Sequence, residues 1–500
     1  MRAMETVVKI HAADNVVVAV TPIAKGEAVQ AAGTAITAKD AIPAGHKMAI
    51  RPIKEGEAVV KYGFPIGNAT KDVTAGTWMH VHNVKSRLGN ILDYSYEPEK
   101  AGRPELPKKK GYTFEGYARK DGKVGIRNEV WIVPTVGCVN SIAVEIERRA
   151  QKFKTGTIDG ICAYTHPYGC SQLGDDMRYT QAYLAGLIHH PNAGAVLVLA
   201  LGCENNQLDL MKKAIGDYDA DRVKFLTCQE VGDEIEEGVR IVRGLCAFAG
   251  QFKRTTQPAG KLVLGLKCGG SDGFSGLTAN PLVGAVSNQL IAEGGTSILT
   301  EVPEMFGAET LLMNRCKDRA TFEKTVQLIN GFKEYFMRYG EKIHENPSPG
   351  NKEGGITTLE DKSLGCVQKG GTAIVQDVLS YGTPAVEKGL LLLQAPGNDL
   401  VAANALAASG AHIVLFTTGR GTPFACPVPT IKIASNSRLS ADKKNWIDFN
   451  AGGLLEGKSM QQLCDAFFAF LMQVASGKRH AKSEVLDKHE LAIFKDGVTL

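Results

Sequence analysis

The chain has 500 residues, of which 44% are hydrophobic and 22% are charged, and its 57 basic and 53 acidic side chains give a formal net charge of +4. This length predicts a globular protein of two or three domains. The near balance of charge argues against nucleic-acid binding, and no apolar stretch reaches the roughly 20 residues of a membrane-spanning helix. The N-terminus lacks the apolar core of a signal peptide, so we expect a cytoplasmic protein.

Residues 1–95 contain short alternating apolar runs such as VVKIHA, VVVAV and HKMAI, separated by glycine-containing turns. This spacing predicts a small all-β domain. Its histidines are candidate metal ligands or acid–base groups. His80 and His82 are two residues apart, so on a strand they would share one face, whereas His11 and His46 lie beside turns. Solvated or structural imidazoles are the alternative explanation.

Residues 96–111 combine three prolines with mixed charge, which predicts a linker. In residues 112–500, apolar runs such as AVLVLAL, GLLLLQAP and HIVLFTT alternate with helical patterns. This alternation predicts an α/β catalytic region built on mostly parallel sheets. A division of this region into two subdomains near residue 250 is one arrangement that fits the pattern.

The chain contains 11 cysteines without a CxxC pair, which argues against a disulfide framework or a zinc knuckle. Cys170, Cys203 and Cys268 differ from the others because each follows an apolar run within a glycine-rich polar turn. Turns at the carboxyl ends of parallel strands converge on one crevice, so we expect these thiols to line a site for a metal or a polar substrate. Burial as small hydrophobic side chains is the alternative.

Two later turns add polar groups to this predicted crevice. The stretch ENPSPGNKEGG precedes a helical pattern and is suited to receive an anion, and FTTGRGTPFA follows an apolar run. We expect these turns to bind substrate through Asn351, Lys352, Arg420 and Thr422, with the guanidinium of Arg420 suited to a carboxylate. Ordinary turn chemistry is the alternative. The chain lacks a P-loop motif and a dinucleotide fingerprint, so a nucleotide-dependent transferase is only weakly supported.

Several long stretches resemble the altronate and galactarate dehydratase family, among them KYGFPIG, HVHN, VGIRNEVWIVPTVGCVN, YGCSQLGDD, CGGSDGFSGLTANP and LTEVPEMFGAE. The resemblance covers nearly the whole chain and implies an N-terminal SAF-type β domain. It also implies dehydration of D-altronate to 2-dehydro-3-deoxy-D-gluconate in hexuronate catabolism, with Fe(II) as cofactor and Mn(II) as a substitute. The alternatives are a dehydratase of another sugar acid, such as galactarate, and a non-catalytic sugar-acid-binding protein. We expect a homo-oligomer such as a dimer.

The implied reaction removes the proton at C2 of a sugar acid and expels the hydroxyl group at C3. A metal can stabilise the enolate as a Lewis acid, while a base and an acid move the two protons. We expect His166, or alternatively Asp272, to serve as the base or the acid. The candidate metal ligands are His11, His46, His80, His82, Cys170, Cys203 and Cys268. The resemblance implies mononuclear iron, whereas three convergent cysteines could instead hold an iron–sulfur cluster with one iron open to substrate.

Overall fold

The computed structural model describes residues 6–89, 91–102, 105–487 and 489–497. Its N-terminal part is an all-β region with the strands β1 (Val7–Val8), β2 (Val16–Ala19), β3 (Ala28–Ala31), β4 (Thr34–Thr37), β5 (Lys47–Ala49), β6 (Ala58–Lys61), β7 (Phe64–Ala69), β8 (Trp78–Met79) and β9 (Val84–Lys85). These strands pair antiparallel in the orders β1-β2-β5-β8, β3-β4 and β6-β7-β9. The predicted all-β region is confirmed.

This β region contains a repeated hairpin. The turn between β3 and β4 has positive φ at Ala32 (52°) and Gly33 (81°), and the turn between β6 and β7 repeats this at Tyr62 (62°) and Gly63 (79°). Two successive positive φ angles suit the twist of a two-residue hairpin, and the second is a glycine because glycine adopts that conformation without strain. Short turns of this kind set the register of the region's small sheets.

The middle part of the chain combines a small antiparallel sheet with a four-stranded parallel sheet. Its elements are β10 (Thr113–Ala118), β11 (Val124–Gly125), β12 (Glu129–Pro134), α1 (Asn140–Ala150), β13 (Gly160–Ala163), α2 (Gly174–Ile188), β14 (Ala193–Ala200), α3 (Leu208–Ile215), β15 (Val223–Thr227), α4 (Glu234–Ala249) and β16 (Arg254–Pro258). The small sheet has the order β11-β10-β16, and the parallel sheet has the order β13-β12-β14-β15. Each strand of the parallel sheet is followed by a helix, as the alternating pattern predicted.

The C-terminal part forms a seven-stranded parallel sheet. Its elements are β17 (Val263–Cys268), α5 (Ala279–Ala292), β18 (Thr296–Leu299), α6 (Glu309–Met313), α7 (Arg319–Arg338), α8 (Pro349–Glu353), α9 (Leu359–Cys366), β19 (Val375–Leu379), β20 (Gly389–Leu393), α10 (Asp399–Ala408), β21 (Ile413–Thr418), β22 (Thr430–Ala434), α11 (Ser437–Asp442), β23 (Phe449–Asn450), α12 (Met460–Ala475) and α13 (Lys482–Val485). The strand order is β19-β20-β18-β17-β21-β22-β23. The predicted α/β class is confirmed.

The centre of this larger sheet is covered on both faces. Every residue of β20 (GLLLL) and of β21 (IVLFTT) is buried, and such continuous apolar runs are typical of parallel strands packed between helices. Strand β17 has β18 on one side and β21 on the other, so the strand order reverses there. Ligands of open α/β sheets bind outside the carboxyl ends of the strands at such a reversal.

The N-terminal β region packs onto that carboxyl edge. The Lys47 Nζ atom donates to the Gly355 carbonyl at 2.7 Å and pairs with Asp361 at 2.8 Å, and Lys61 pairs with the same carboxylate at 3.0 Å. Gly45 lies so close to Gly273 that a side chain at Gly273 would overlap the Gly45 carbonyl. These buried contacts place the β region over the turn after β17. Among the described residues, no helix has the length and apolar character needed to cross a membrane.

Candidate active site

A buried cluster of thiols and carboxylates lies at the carboxyl edge of the seven-stranded sheet. Cys268 ends β17, Glu304 follows β18, and Cys366 ends α9. The Oε2 atom of Glu304 lies 3.0 Å from the Cys268 Sγ atom and 3.2 Å from the Cys366 Sγ atom, and the two sulfurs are 3.4 Å apart. Two thiols and one carboxylate within 4.8 Å of one another have the spacing of a metal site for a thiophilic ion.

Two lysines already contact these ligand atoms, and a third pairs with neighbouring carboxylates. The Lys369 Nζ atom lies 2.8 Å from the Cys268 sulfur and 3.1 Å from Glu301, and Lys362 pairs with Glu304 at 2.7 Å. Lys267 pairs with Glu301 and, at 2.9 Å, with Asp399. The three ammonium groups therefore match the three carboxylates in number. Thiol ligands lose their protons when they bind a metal, which offsets the charge of a divalent cation, but the metal would have to displace Lys369 from Cys268 and Lys362 from Glu304. The surroundings therefore fit a metal poorly although the spacing suits one.

The lysines set the protonation of the cluster. Burial raises the pKa of the Glu304 carboxyl, but the ammonium groups of Lys362, Lys267 and Lys369 outweigh burial and hold that pKa well below its usual range. The hydrogen bond to Cys268, together with burial, raises the pKa of the Cys366 thiol well above its usual range. At neutral pH the cluster therefore holds an ionised carboxylate beside a protonated thiol and ammonium groups. It can accept a proton at one atom and donate one at a neighbouring atom.

Asp272 lies at the same edge but is fully engaged in hydrogen bonds. Its Oδ1 atom accepts from the Ser275 backbone N–H at 2.9 Å and from the Ser435 hydroxyl at 2.8 Å, and its Oδ2 atom accepts from the Asn436 amide at 3.0 Å. Burial raises its pKa, whereas these donors lower it. The carboxylate thus joins the turn after β17 to the turn after β22. Its catalytic role stays a prediction.

The predicted substrate-binding residues come from loops that meet beside Asp272. The Asn351 amide donates to the Ser271 carbonyl at 2.9 Å, and Arg420 pairs with Glu353 at 3.0 Å. Lys352 is partly exposed on α8, and the Thr422 hydroxyl accepts from the Phe424 backbone N–H at 3.4 Å. Arg420 is the exposed cation among them, and its guanidinium can reach a ligand carboxylate by leaving Glu353. Their binding roles stay predictions.

The histidines of the β region occupy different environments. The expected strand that would place His80 and His82 on one face is wrong, because β8 ends at Met79 and the chain turns there, which buries His80 and exposes His82. The ring of His80 contacts the Thr357 hydroxyl at 3.1 Å, and burial lowers its pKa to about 4. His46 uses both ring nitrogens, one with the Glu353 carbonyl at 3.1 Å and one with the indole N–H of Trp78 at 3.2 Å.

His11 is exposed, and its Nδ1 atom accepts from the Ala13 backbone N–H at 3.1 Å. Neither nitrogen of His46 is free for a metal without the loss of one of its hydrogen bonds. His46 and His80 therefore act in this structure as braces between the β region and the loop around α8. Metal ligation by the four histidines stays a prediction.

The structure divides the three predicted cysteines between two sheets. Cys170 and Cys203 are exposed at the carboxyl edge of the four-stranded sheet, whereas Cys268 is buried in the larger sheet. The expected convergence of all three on one crevice is wrong in this respect, because an apolar run predicts a strand but does not tell which sheet the strand joins. Cys138, which follows β12, is exposed at the same edge as Cys170 and Cys203.

His166 lies beneath this smaller edge with both ring nitrogens in use. Its Nε2 atom contacts the Pro134 carbonyl at 2.8 Å, and its Nδ1 atom accepts from the Tyr168 backbone N–H at 3.2 Å. Burial lowers its pKa to about 4, so the ring is neutral at neutral pH. The residue orders the loop that carries Cys170. A role as base or acid would require one of these hydrogen bonds to break, and it stays a prediction.

Sequence reasoning missed most of the buried cluster. Glu301, Glu304, Lys362, Cys366 and Lys369 were not singled out as functional residues. Cys138 shows the same sequence pattern as Cys170, Cys203 and Cys268, because an apolar run (EVWIVPTV) and a glycine precede it. This pattern could have identified it. Glu301 adopts a positive φ of 69°, which is uncommon for a residue with a side chain and is not visible in the sequence.

Comparisons with known proteins agree with this architecture. Three domain models match in succession: the altronate/galactarate dehydratase SAF domain over residues 5–87, the D-galactarate dehydratase/altronate hydrolase second domain over 116–250, and the D-galactarate/altronate dehydratase C-terminal domain over 259–499. The chain is 53% identical to an altronate dehydratase of Bacillus subtilis (strain 168), across 99% of this chain and 100% of that protein. It belongs to the altronate/galactarate dehydratase family.

Two further relatives show where the chain lies within the altronate/galactarate dehydratase family. It is 51% identical to an altronate dehydratase of Escherichia coli (strain K12), across 99% of both chains. Identity to a galactarate dehydratase (L-threo-forming) of the same organism is 33%, across 97% of this chain and 96% of that protein. The predicted family and its SAF-type N-terminal region are therefore confirmed.

Proposed function

We propose that this chain is a hydro-lyase that dehydrates D-altronate to 2-dehydro-3-deoxy-D-gluconate in hexuronate catabolism. The observation that carries this proposal is the identity of 53% and 51% to two altronate dehydratases over nearly the full chain, against 33% to a galactarate dehydratase. The substrate is accordingly a small sugar acid. A cytoplasmic location and a homo-oligomeric assembly stay predictions.

We propose that the buried cluster at the seven-stranded edge moves the protons of this reaction. Burial opposes both shifts, but the ammonium groups hold the pKa of Glu304 low, and neighbouring groups that include Glu301 hold the pKa of Lys369 high. Glu304 can therefore accept a proton, and Lys369 can protonate a departing hydroxyl group, once the substrate displaces these partners. Asp399 is the member of the cluster whose side chain is partly open to solvent, at 33% exposure, so it marks the side from which a substrate would enter. His166 and Asp272 remain the alternatives predicted from sequence.

Arg420 and Lys352 are the proposed partners of the substrate carboxylate. Arg420 is partly exposed beside the turn after β17, and a guanidinium can bind a carboxylate through two parallel hydrogen bonds. Fe(II), or Mn(II) in its place, stays a prediction from the family resemblance, and no step of the reaction is assigned to it at the buried cluster, where lysines occupy the ligand atoms. The residues named here would orient the substrate and hold the protons.

The test is the rate of 2-keto acid formation from D-altronate, galactarate and mannonate, each with Fe(II) and a reductant under anaerobic conditions. We expect altronate to be the best substrate. Faster turnover of galactarate would overturn the assignment to altronate. Binding of altronate without any product from the three acids would favour the non-catalytic sugar-acid-binding alternative.

A further inference from the structure

Three of the 11 cysteines are exposed, and all three lie at one edge of the four-stranded sheet. Cys138 follows β12, Cys170 follows β13 and Cys203 follows β14, and these three strands are neighbours in the sheet. We propose that these three cysteines together bind an iron–sulfur cluster, with one iron left open. The other cysteines are buried or partly buried, so exposure singles out these three.

The three cysteine loops form one hydrogen-bonded unit. The Gly137 backbone N–H donates to the Tyr168 carbonyl at 2.8 Å, which joins the Cys138 loop to the Cys170 loop. The Asn206 backbone N–H donates to the Gly169 carbonyl at 2.9 Å, which joins the Cys170 loop to the Cys203 loop. A side chain at Gly169 would overlap the Thr135 carbonyl, so the first two loops are also in direct contact. The thiols are thus presented by a connected frame.

Amide groups surround two of the sulfur atoms. The Gln229 side-chain amide donates to the Cys203 sulfur at 3.5 Å, and the Asn205 side-chain oxygen lies 3.6 Å from the Cys170 sulfur. Asn205 also accepts from the Ser171 backbone N–H at 2.7 Å, which fixes its position. The Gln229 amide is a donor of the kind that tunes such centres, whereas the Asn205 oxygen accepts from the Cys170 thiol and orients it before the cluster is inserted.

The electrostatic setting also favours an anionic ligand. Helices α1, α2 and α3 begin at Asn140, Gly174 and Leu208, a few residues after the three cysteines. The N-terminus of a helix carries partial positive charge, which attracts an anionic cluster bound beside it. Three N-termini at one sheet edge add their effects. Ligation forms three iron–sulfur bonds, breaks three S–H bonds and passes three protons to solvent, and the ferric and ferrous irons and the sulfide of the cluster are supplied from outside the protein.

The spacing favours a cluster over a single ion. Among the described residues, one group of three candidate metal ligands has all its ligand atoms within 4.8 Å of one another, and it consists of Cys268, Glu304 and Cys366. Cys138, Cys170 and Cys203 are therefore too far apart to coordinate one ion together. The cysteine ligands of a cluster are bound to different irons, so they lie further apart than the ligands of one ion, and three of them leave one iron of a four-iron cluster free for another ligand.

The carboxyl edge of the four-stranded sheet, with its three exposed cysteines, faces the same side of the molecule as the buried cluster of thiols, carboxylates and lysines. Helix α2 starts at the carboxyl edge of the four-stranded sheet, and α10 starts at that of the seven-stranded sheet. The Tyr183 hydroxyl donates to Asn404 at 2.6 Å, and Gly186 packs against Ala408. Because both contacts advance in the same direction along the two helices, the helices are parallel. A role of the open iron as the Lewis acid for the sugar acid rests on the proposed function. Binding of the cluster by the three cysteines does not rest on it, because iron, labile sulfide and the spectra are measured without any substrate.

The experiment uses the full chain, purified anaerobically and reconstituted with ferric iron, sulfide and an excess of a thiol reductant that reduces part of the iron to Fe(II). Iron, acid-labile sulfide, the visible absorption spectrum and the EPR spectrum of the reduced protein are measured. We expect iron and labile sulfide in similar amounts in the parent protein. Each of Cys138→Ser, Cys170→Ser and Cys203→Ser should lower the bound sulfide roughly tenfold or more, because serine is a much poorer ligand for the cluster irons.

Four further variants are the controls. Cys246→Ser and Cys464→Ser, in α4 and α12, should keep the spectrum of the parent protein. Iron without labile sulfide in the parent, or full cluster content in all three turn variants, would overturn the proposal. If Cys268→Ser and Cys366→Ser lose iron and the three turn variants keep it, the metal lies at the buried cluster, and this result would also overturn the proposal. An intact cluster without altronate turnover would count against the proposed function only.

Discussion

The carboxyl edges of the two parallel sheets present cysteines in opposite ways. At the four-stranded edge, Cys138, Cys170 and Cys203 are exposed on three connected loops. At the seven-stranded edge, Cys268 and Cys366 are buried against carboxylates and lysines whose charges are matched. The same local pattern, an apolar strand followed by a polar turn, thus produces thiols that are available for ligation and thiols that belong to an ionic core.

The difference shows that the surroundings decide what a turn cysteine does. An exposed thiol beside helix N-termini is accessible to iron, whereas a thiol enclosed by ammonium groups and carboxylates takes part in their network of contacts. The following predictions test this contrast, and they run from the largest expected effect to the smallest.

Replacing Lys369 should have the largest effect. Lys369→Met leaves the carboxylate of Glu301 in a buried place with one partner fewer, so we expect the free energy of unfolding to fall by about 3–5 kcal/mol. Turnover of altronate should fall as well. The measurement is urea unfolding at pH 7, with Lys100→Met, an exposed lysine paired with Glu97, as the matched control. The control should change stability by less than about 0.5 kcal/mol. Equal effects in both variants would contradict the description of the buried cluster.

Acid should weaken the protein through its buried histidines. Burial lowers the pKa of both His80 and His166 to about 4, from about 6.5 in the unfolded chain. Between these values the unfolded state binds protons that the native state does not. Stability is therefore lost as the pH falls from about 6.5 to 4, by up to roughly 3 kcal/mol for each histidine.

Unfolding curves measured across this pH range test the effect at each site. His166→Gln should flatten the dependence on pH, because glutamine does not titrate. His82→Gln is the matched control, because His82 is exposed, and it should leave the slope unchanged. An unchanged slope in His166→Gln would show that this imidazole is not held neutral in the native state.

Serine substitutions in the metal-free protein should separate the two kinds of cysteine. Cys268→Ser replaces the sulfur by a smaller oxygen, which weakens the buried contacts with Lys369 and Glu304 and should cost about 1–3 kcal/mol. Cys203→Ser, at an exposed position, should change the free energy of unfolding by less than about 0.5 kcal/mol. Thermal unfolding without iron is the measurement. A larger loss in Cys203→Ser than in Cys268→Ser would reverse the comparison between the two edges.

Arg420→Gln should weaken substrate binding at the larger edge. We expect KM for altronate to rise about tenfold, which corresponds to about 1.4 kcal/mol, with a smaller change in kcat. Arg438→Gln in α11 is the control, because its side chain is 92% exposed and pairs only within its own helix at 3.6 Å. Steady-state kinetics decide the outcome. An unchanged KM would indicate that the substrate carboxylate is bound away from Arg420.

The sequence by itself determined the local elements that depend on short-range patterns. The run AVLVLAL forms β14, HIVLFTT forms β21, and the helical pattern around EIEEGVRIVRGL forms α4, which begins after the capping residue Asp233. The family was also identified from its motifs. The boundaries at residues 95, 111 and 250 stay predictions, as do the roles assigned to the individual site residues.

Only the tertiary structure decided which of these elements meet. Strand pairing is a long-range property, so the pattern before Cys268 could not show that β17 joins a different sheet from β13 and β14. Helix α9 has the sequence LEDKSLGC, which is typical of a polar surface helix, yet all of its residues are buried. Burial is possible because its lysine and acidic side chains pair with groups from distant parts of the chain. Burial of charge depends on partners brought by the fold, and no local pattern encodes them.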